Sequence, residues 1–330
     1  MASISLLQGI KIAAKEINNY ITDHPIAVSY EVTFSCNCNC CHCDLGGLVK
    51  NEKLIRPDDY GNITRKLKPL AAQISGGEPL LHKDITAIVK AIKQAGAKYI
   101  ILVTNGVLLN ESIYVQLREA GINQLSVSLD FPDERHDEFR RRPGLYKRLE
   151  RSIPKLARLG FKDIILNTAI TKANVREILP LAKKATEWGV DISYSAYTAL
   201  RTGNRSYCLN NGEDLEILRR SINELVKMKK HDTHLVNPAL TLKDTLRFFE
   251  RGNMPNCQAG IRFLVVMPDG SLVPCSLHRS KFATQKEMIE GFSRTNECDS
   301  CYVAIRAYSE MSLLSHTKNL HKYIRQMVFH

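Results

Sequence analysis

AVSYEVTF at residues 27–34 leads through Ser35 into CNCNCCHC at residues 36–43, and that junction decides how the chain is read. The first run is β-branched and aromatic, so it predicts a strand with the cysteines on the loop leaving its end. Only Cys36, Cys40 and Cys43 satisfy a C-x3-C-x2-C spacing; Cys38 and Cys41 fall outside it. Three thiolates on a tight loop can hold three irons of a four-iron cluster and leave the fourth iron without a protein ligand. The other reading is a zinc site with Cys41 or His42 as fourth ligand, although zinc usually takes paired C-x2-C spacings.

Strand-like runs recur outward from the junction at 71–75, 99–104, 124–129, 163–170 and 191–196. Helical spacing lies between them, as in Ile85, Ile88, Val89 and Ile92, or across 178–188. Alternation of this kind predicts an α/β fold of βα units with a parallel sheet, and six units rather than eight predict a partial (β/α)6 TIM-type barrel. Its chemistry belongs on the loops at the strand C-termini. Helices follow at 215–228 and 242–251, then a turn-rich, cysteine-containing stretch from Cys257. The expected divisions are 1–26, an N-terminal amphipathic helix; 27–205, the barrel; 206–255, a helical connector; and 256–330, a small cysteine-bearing domain with a terminal helix.

Composition narrows the class. With 44% hydrophobic and 24% charged residues in 330, the chain is neither disordered nor fibrous. No apolar run is long enough to span a bilayer, and the first residues lack the features of a secretion signal. The expected location is the cytoplasm, where thiols stay reduced and ten cysteines read as ligands rather than disulfides. A net charge of +12 calls for an anionic partner. The densest basic run, Arg140, Arg141, Arg142, Lys147, Arg148, Arg151, Lys155 and Arg158, reads first as a solvated helix face, so nucleic acid is not an expected partner. Leu6, Leu7, Ile10, Ala13, Ala14, Ile17 and Ile21 fall on one helical face, and Leu313, Leu320, Ile324 and Met327 form a second stripe beside basic residues. Such stripes pack onto their own domain or rest peripherally on an anionic membrane face.

Further motifs give the junction a family. SGGEP at residues 75–79, TNG at 104–106, Ser128-Leu129-Asp130 and His136-Asp137 followed by Arg140 stand in order, each behind an expected strand or just beyond one. With the cysteine loop they resemble the radical S-adenosylmethionine superfamily. The resemblance implies that Cys36, Cys40 and Cys43 hold a 4Fe-4S cluster. It places Gly76, Gly77, Glu78, Thr104, Asn105, Ser128, Arg140 and Asn167 around S-adenosylmethionine, Ser128 and Arg140 on its carboxylate and Asn167 near the ribose. His42, where the family commonly has another aromatic residue, is expected to pack on the cosubstrate. The implied chemistry is reductive cleavage to a 5'-deoxyadenosyl radical that takes hydrogen from a substrate, fed by an electron donor such as flavodoxin or ferredoxin.

Cys257, Cys275, Cys298 and Cys301 form a second set, with FLVVMPDGSLVPC at residues 263–275 reading as a hairpin turning at Pro268-Asp269-Gly270. This tail resembles the twitch form of the SPASM domain and implies one auxiliary 4Fe-4S cluster with four cysteine ligands; structural zinc fits the same spacing. Cys208 reads as a plain buried thiol. The expected substrate is a small molecule, with a lipid or isoprenoid type suggested by the terminal stripes; a peptide, as in peptide maturases, and an RNA are the alternatives.

Overall fold

The computed structural model describes residues 6–209, 211–229, 231 and 234–311. After α1 (Leu6–Ile21), six parallel strands follow: β1 (Ala27–Glu31), β2 (Ala71–Ser75), β3 (Tyr99–Thr104), β4 (Gln124–Ser128), β5 (Ile164–Ile170) and β6 (Asp191–Ala196). Between them lie α2 (Pro57–Leu67), α3 (Ile85–Gln94), α4 (Glu111–Ala120), the pair α5 (Arg135–Arg140) and α6 (Leu145–Ala157), and α7 (Ile178–Trp188). Strand residues at alternate positions point to opposite faces. On one face Val28, Tyr30, Ala72, Ile74, Ile100, Leu102, Leu125, Val127, Leu166 and Ile192 are at most 1% exposed. The Tyr30 hydroxyl meets the Thr64 hydroxyl of α2 at 2.7 Å, which identifies this as the helix-facing side. Each large aliphatic side chain buried there contributes about 2 kcal/mol.

The opposite face has a different composition. Register pairs Ser29 with Gln73, Glu31 with Ser75, and Ser128 with Asn167 and then Ser193, so small polar side chains line the inside of the curved sheet. Ile101, Val103 and Ile165 share that face, so the inside of the sheet is mixed, with its polar side chains gathered at Glu31, Ser75, Ser128 and Asn167.

Beyond β6 come α8 (Gly212–Met228) and α9 (Ala239–Arg251), then β7 (Phe263–Val266), β8 (Leu272–Val273), α10 (Gln285–Gly291) and α11 (Ala304–Ser309). β7 and β8 form the expected antiparallel hairpin, with Val265 opposite Val273 and Gly270 at φ 83° in its turn. The hairpin does not stand apart from the barrel. β7 runs parallel to β1, giving one sheet in the order β6-β5-β4-β3-β2-β1-β7-β8. β1 would otherwise leave an unpaired edge, and the fully buried FLVV segment satisfies it.

Two local expectations change. The first strand ends at Glu31 rather than Phe34, because the Glu52 carboxylate captures the Thr33 hydroxyl and the Phe34 N–H. Among the described side chains of α1, Glu16 and Asn19 are buried while Ile17 and Ile21 of the apolar stripe are 42% and 75% exposed. Asn19 Nδ2 donates to the carbonyls of Pro25 and Lys68, each at 2.9 Å, and so fastens the helix to the barrel's lower end. The C-terminal stripe lies outside the described residues. On α6, Lys147, Arg148, Arg151 and Lys155 are exposed over buried Leu149, Ile153 and Leu156, the solvated face that was expected. Among the described residues no helix is long and apolar enough to cross a membrane.

Asn19→Ala, which strands two buried carbonyls, is expected to cost about 2 kcal/mol in chemical denaturation, whereas Ile21→Ala stays within about 0.5 kcal/mol. Equal costs would mean that the apolar stripe, not Asn19, docks the helix.

Candidate functional site

The cysteine loop is held by the turn after β2 at backbone contact. Gly77 N–H donates to the Thr33 carbonyl at 2.7 Å and Glu78 N–H to the Ser35 carbonyl at 2.9 Å. A Cβ on Gly76, at φ +135°, would stand 2.2 Å from the Thr33 oxygen, and one on Gly77 2.3 Å from the Ser35 oxygen. Only glycine permits this approach. The loop closes on itself where Cys36 N–H donates to the Gly47 carbonyl at 2.8 Å.

Each thiol of the C-x3-C-x2-C triplet receives an N–H. Cys36 Sγ accepts from Cys38 N at 3.4 Å and from Asn105 Nδ2 at 3.7 Å. Cys40 Sγ accepts from Arg140 at 3.8 Å, and Cys43 Sγ from Leu45 N at 3.4 Å. Donors aimed at sulfur stabilise thiolate ligands and tune a cluster. Cys38, 3% exposed, lies inside the loop and its thiol hydrogen-bonds both Cys36 and Cys40, drawing each down to about 7. Cys41 turns away, toward the Glu138 carbonyl. Burial raises the Cys43 thiol. Among the described residues no three Cys, His, Asp or Glu side chains converge as on a single metal ion.

Glu78, fully buried, joins the β2 and β3 loops. Its carboxylate accepts from Leu80 N at 3.0 Å, Asn105 N at 2.7 Å and the Thr104 hydroxyl at 2.8 Å. Burial pushes the carboxyl up to about 7, against the three donors. Glu78 and Thr104 are thereby committed to each other. Asn105 reaches across to Cys36 and to Asn37 Oδ1 at 2.7 Å.

A second inner pair sits behind Cys40. Asp130, fully buried, takes Arg140 Nε at 2.6 Å, and the same guanidinium contacts Cys40. Arg140 was expected on a cosubstrate carboxylate; its partners here are Asp130 and Cys40, because α5 follows β4 closely enough to return the side chain to the strand end. His42 stacks on Phe139 at 4.5 Å and 10°, and burial lowers it to about 4, so the ring is neutral. Ser128, at the end of β4, lies beside Asn167 of β5.

Cys257, Cys275, Cys298 and Cys301 line one apolar cavity of about 120 Å³, with Leu200, Phe263 and Phe292 among its walls. Burial raises Cys257 to about 11 and Cys275 to about 12. Thiols so raised ionise only beside a strong positive centre, which suits a metal or cluster. Arg306, fully buried, straps this region by donating to the carbonyls of Cys301, Met254 and Pro255 at 2.7–2.8 Å while paired with Glu310. No motif flagged that arginine. Cys208 is half-buried rather than fully buried.

Residues 30–185 match the model of the Radical SAM superfamily. Over 192 residues the chain is 34% identical to a Methanosarcina barkeri protein named AdoMet-dependent heme synthase, covering 56% of this chain and 53% of that one. It thus spans about half the length of that relative. Over 281 residues it is 27% identical to a Methanothermobacter marburgensis protein named probable GTP 3',8-cyclase, covering 80% and 88%. In structure it resembles Streptococcus suis SuiB bound to S-adenosylmethionine, with TM-score 0.63 and 22% identity over 84% of this chain and 67% of that one. It also resembles anSMEcpe with bound AdoMet, with TM-score 0.60 and 16% identity over 92% and 98%. The structural likenesses establish a shared fold.

Glu78→Gln is expected to destabilise the protein by about 2 kcal/mol, since an amide N–H₂ replaces an oxygen that accepts donors. From pH 4.5 toward 7 the folded chain keeps a Glu78 proton that the unfolded chain has released, so wild-type stability falls as pH rises through that window. The gap between wild type and variant should therefore narrow across it in denaturation curves; a constant gap would contradict the assignment.

Proposed function

This chain belongs to the radical S-adenosylmethionine superfamily, and on that footing we propose that it is a two-cluster enzyme acting on a polar small molecule held in the barrel lumen. Family membership implies a 4Fe-4S cluster, S-adenosylmethionine and a reductant, for which a flavodoxin or ferredoxin is suited. The cluster's chemistry, when bound, is one-electron cleavage of S-adenosylmethionine to a 5'-deoxyadenosyl radical that removes a hydrogen from the substrate. The observation that carries the reading is the N–H delivered to each of Cys36, Cys40 and Cys43 on a loop at the strand C-terminal mouth.

Those three thiols would hold the cluster. Asn105 and Arg140 would act on its sulfur ligands, while the Gly76-Gly77 backbone, Ser128 and Asn167 would meet the cosubstrate. Glu78 and Thr104 would support that surface from behind, and Asp130 would hold Arg140 toward Cys40. Cys257, Cys275, Cys298 and Cys301 would hold an auxiliary 4Fe-4S cluster in their common cavity.

The polar side chains of Glu31, Ser75, Ser128 and Asn167 on the inner face favour a polar substrate over the lipid-like one suggested by the terminal stripes. Two sequence relatives carry names of small-molecule chemistry, heme synthesis and GTP cyclisation. The basic run on α6 lies on the outer, solvated face and offers the lumen nothing.

Anaerobic reconstitution should load about eight irons per chain, and dithionite with S-adenosylmethionine should yield 5'-deoxyadenosine. Cys40→Ala is expected to abolish that product and leave about four irons, whereas Cys38→Ala keeps about eight. Zinc in place of iron, or product formation by Cys40→Ala, would refute the proposal.

A further inference from the structure

Three charged side chains meet inside the barrel mouth without satisfying one another. Glu31, the last residue of β1, is 3% exposed, and its Oε2 has no hydrogen-bond partner. Arg201, from the loop after β6, brings NH1 to 3.8 Å from Glu31 Oε1, and Arg279, beyond β8, brings NH2 to 4.0 Å from Oε2. Neither approach is a hydrogen bond. Arg201 Nε lies 2.6 Å from Asp44 Oδ1 without the alignment of a hydrogen bond, and both Nε and NH2 of Arg201 are buried without one. Buried charged donors left open in this way are costly unless something completes them.

Their position in the chain says what that something is near. Asp44 follows Cys43, Arg279 stands four residues beyond Cys275, and Arg201 adjoins Leu200, which lines the four-cysteine cavity. Both arginines thus converge on Glu31 from segments that adjoin the two cysteine sets, Arg201 18% exposed and Arg279 38%. Arg279 also lies over the Phe34 ring, 5.3 Å from its centroid. Two guanidiniums with donors to spare are suited to a planar or tetrahedral oxyanion, gripped by several N–H bonds at once.

We propose that Arg201 and Arg279 form an anion-binding subsite that anchors a carboxylate or phosphate of the substrate between the two cysteine centres, with Glu31 holding the arginines in place until that group arrives. This rests on the radical S-adenosylmethionine reading and adds the class of substrate to it. Glu31 competes with the ligand for the same guanidiniums, so removing its charge and removing theirs have opposite effects.

Calorimetric titration of the anaerobically reconstituted full chain with pyrophosphate and, separately, with succinate tests this. Wild type is expected to bind at least one probe saturably, at one site. Arg201→Gln with Arg279→Gln should weaken binding at least about tenfold, with unchanged circular dichroism as the check on folding. Glu31→Gln should tighten it severalfold. Preference for pyrophosphate assigns a phosphorylated substrate, and preference for succinate a carboxylate. The proposal is overturned if wild type binds neither probe, if the double variant binds as wild type does, or if Glu31→Gln weakens binding. It is also overturned if saturating S-adenosylmethionine abolishes binding, which would give the arginines to the cosubstrate. Anion binding lost in the double variant of a protein that takes up no iron would instead sink the cluster reading and leave the subsite standing.

Discussion

Everything at the mouth of this barrel depends on the backbone contact between the turn after β2 and the loop after β1. Gly76 and Gly77 press against the carbonyls of Thr33 and Ser35 at distances no Cβ could tolerate, and two N–H bonds lock the approach. From this contact Glu78 extends to Thr104 and Asn105, and Asn105 returns to Cys36. Three consecutive strand ends are thereby coupled to one cysteine loop, and the lumen wall and thiol positions cannot vary independently. A rigid first contact of this kind suits a site that must exclude stray hydrogen donors from a reactive intermediate.

The electrostatics around that frame are asymmetric. Behind the loop, Asp130 Oδ2 takes Arg140 Nε at 2.6 Å and the same guanidinium delivers one N–H to Cys40, while Asp130 Oδ1 is buried without a hydrogen bond. In front of it, Glu31 Oε2 and Arg201 Nε and NH2 are buried without a hydrogen bond, and the 38% exposed Arg279 stands 4.0 Å from Glu31. The Asp130–Arg140 pair stands at hydrogen-bond distance whereas Glu31 and the two arginines stand beyond it, which separates a tight network from a loose one within the same mouth. The four-cysteine cavity completes the arrangement, because β7 joins β1 directly and so sets the tail's cysteines against the barrel.

Much of this was legible in the sequence because it is local. β-branched and aromatic runs between helical segments marked all six barrel strands, and the hairpin at Pro268–Gly270 declared itself through its turn residues. Motif spacing picked out both cysteine sets. What escaped was long-range. No local pattern tells that Phe263–Val266 will pair parallel with a strand more than two hundred residues earlier, or that Glu31, Arg201 and Arg279 will share one space. Arg140 was visible as a motif residue, yet its engagement by Asp130 depends on how tightly α5 turns back. The N-terminal helix misled for a related reason: its apolar periodicity was genuine, but Asn19, with two carbonyls in reach, decided which face docks.

The central claim is that Cys36, Cys40 and Cys43 hold a redox-active cluster with one position open to S-adenosylmethionine. Electron paramagnetic resonance of the reduced chain carrying Cys275→Ala and Cys298→Ala, which leaves only that centre, tests it most directly. The account predicts an iron-sulfur signal whose line shape changes when S-adenosylmethionine is added; a signal indifferent to the cosubstrate, or none with iron bound, would contradict it.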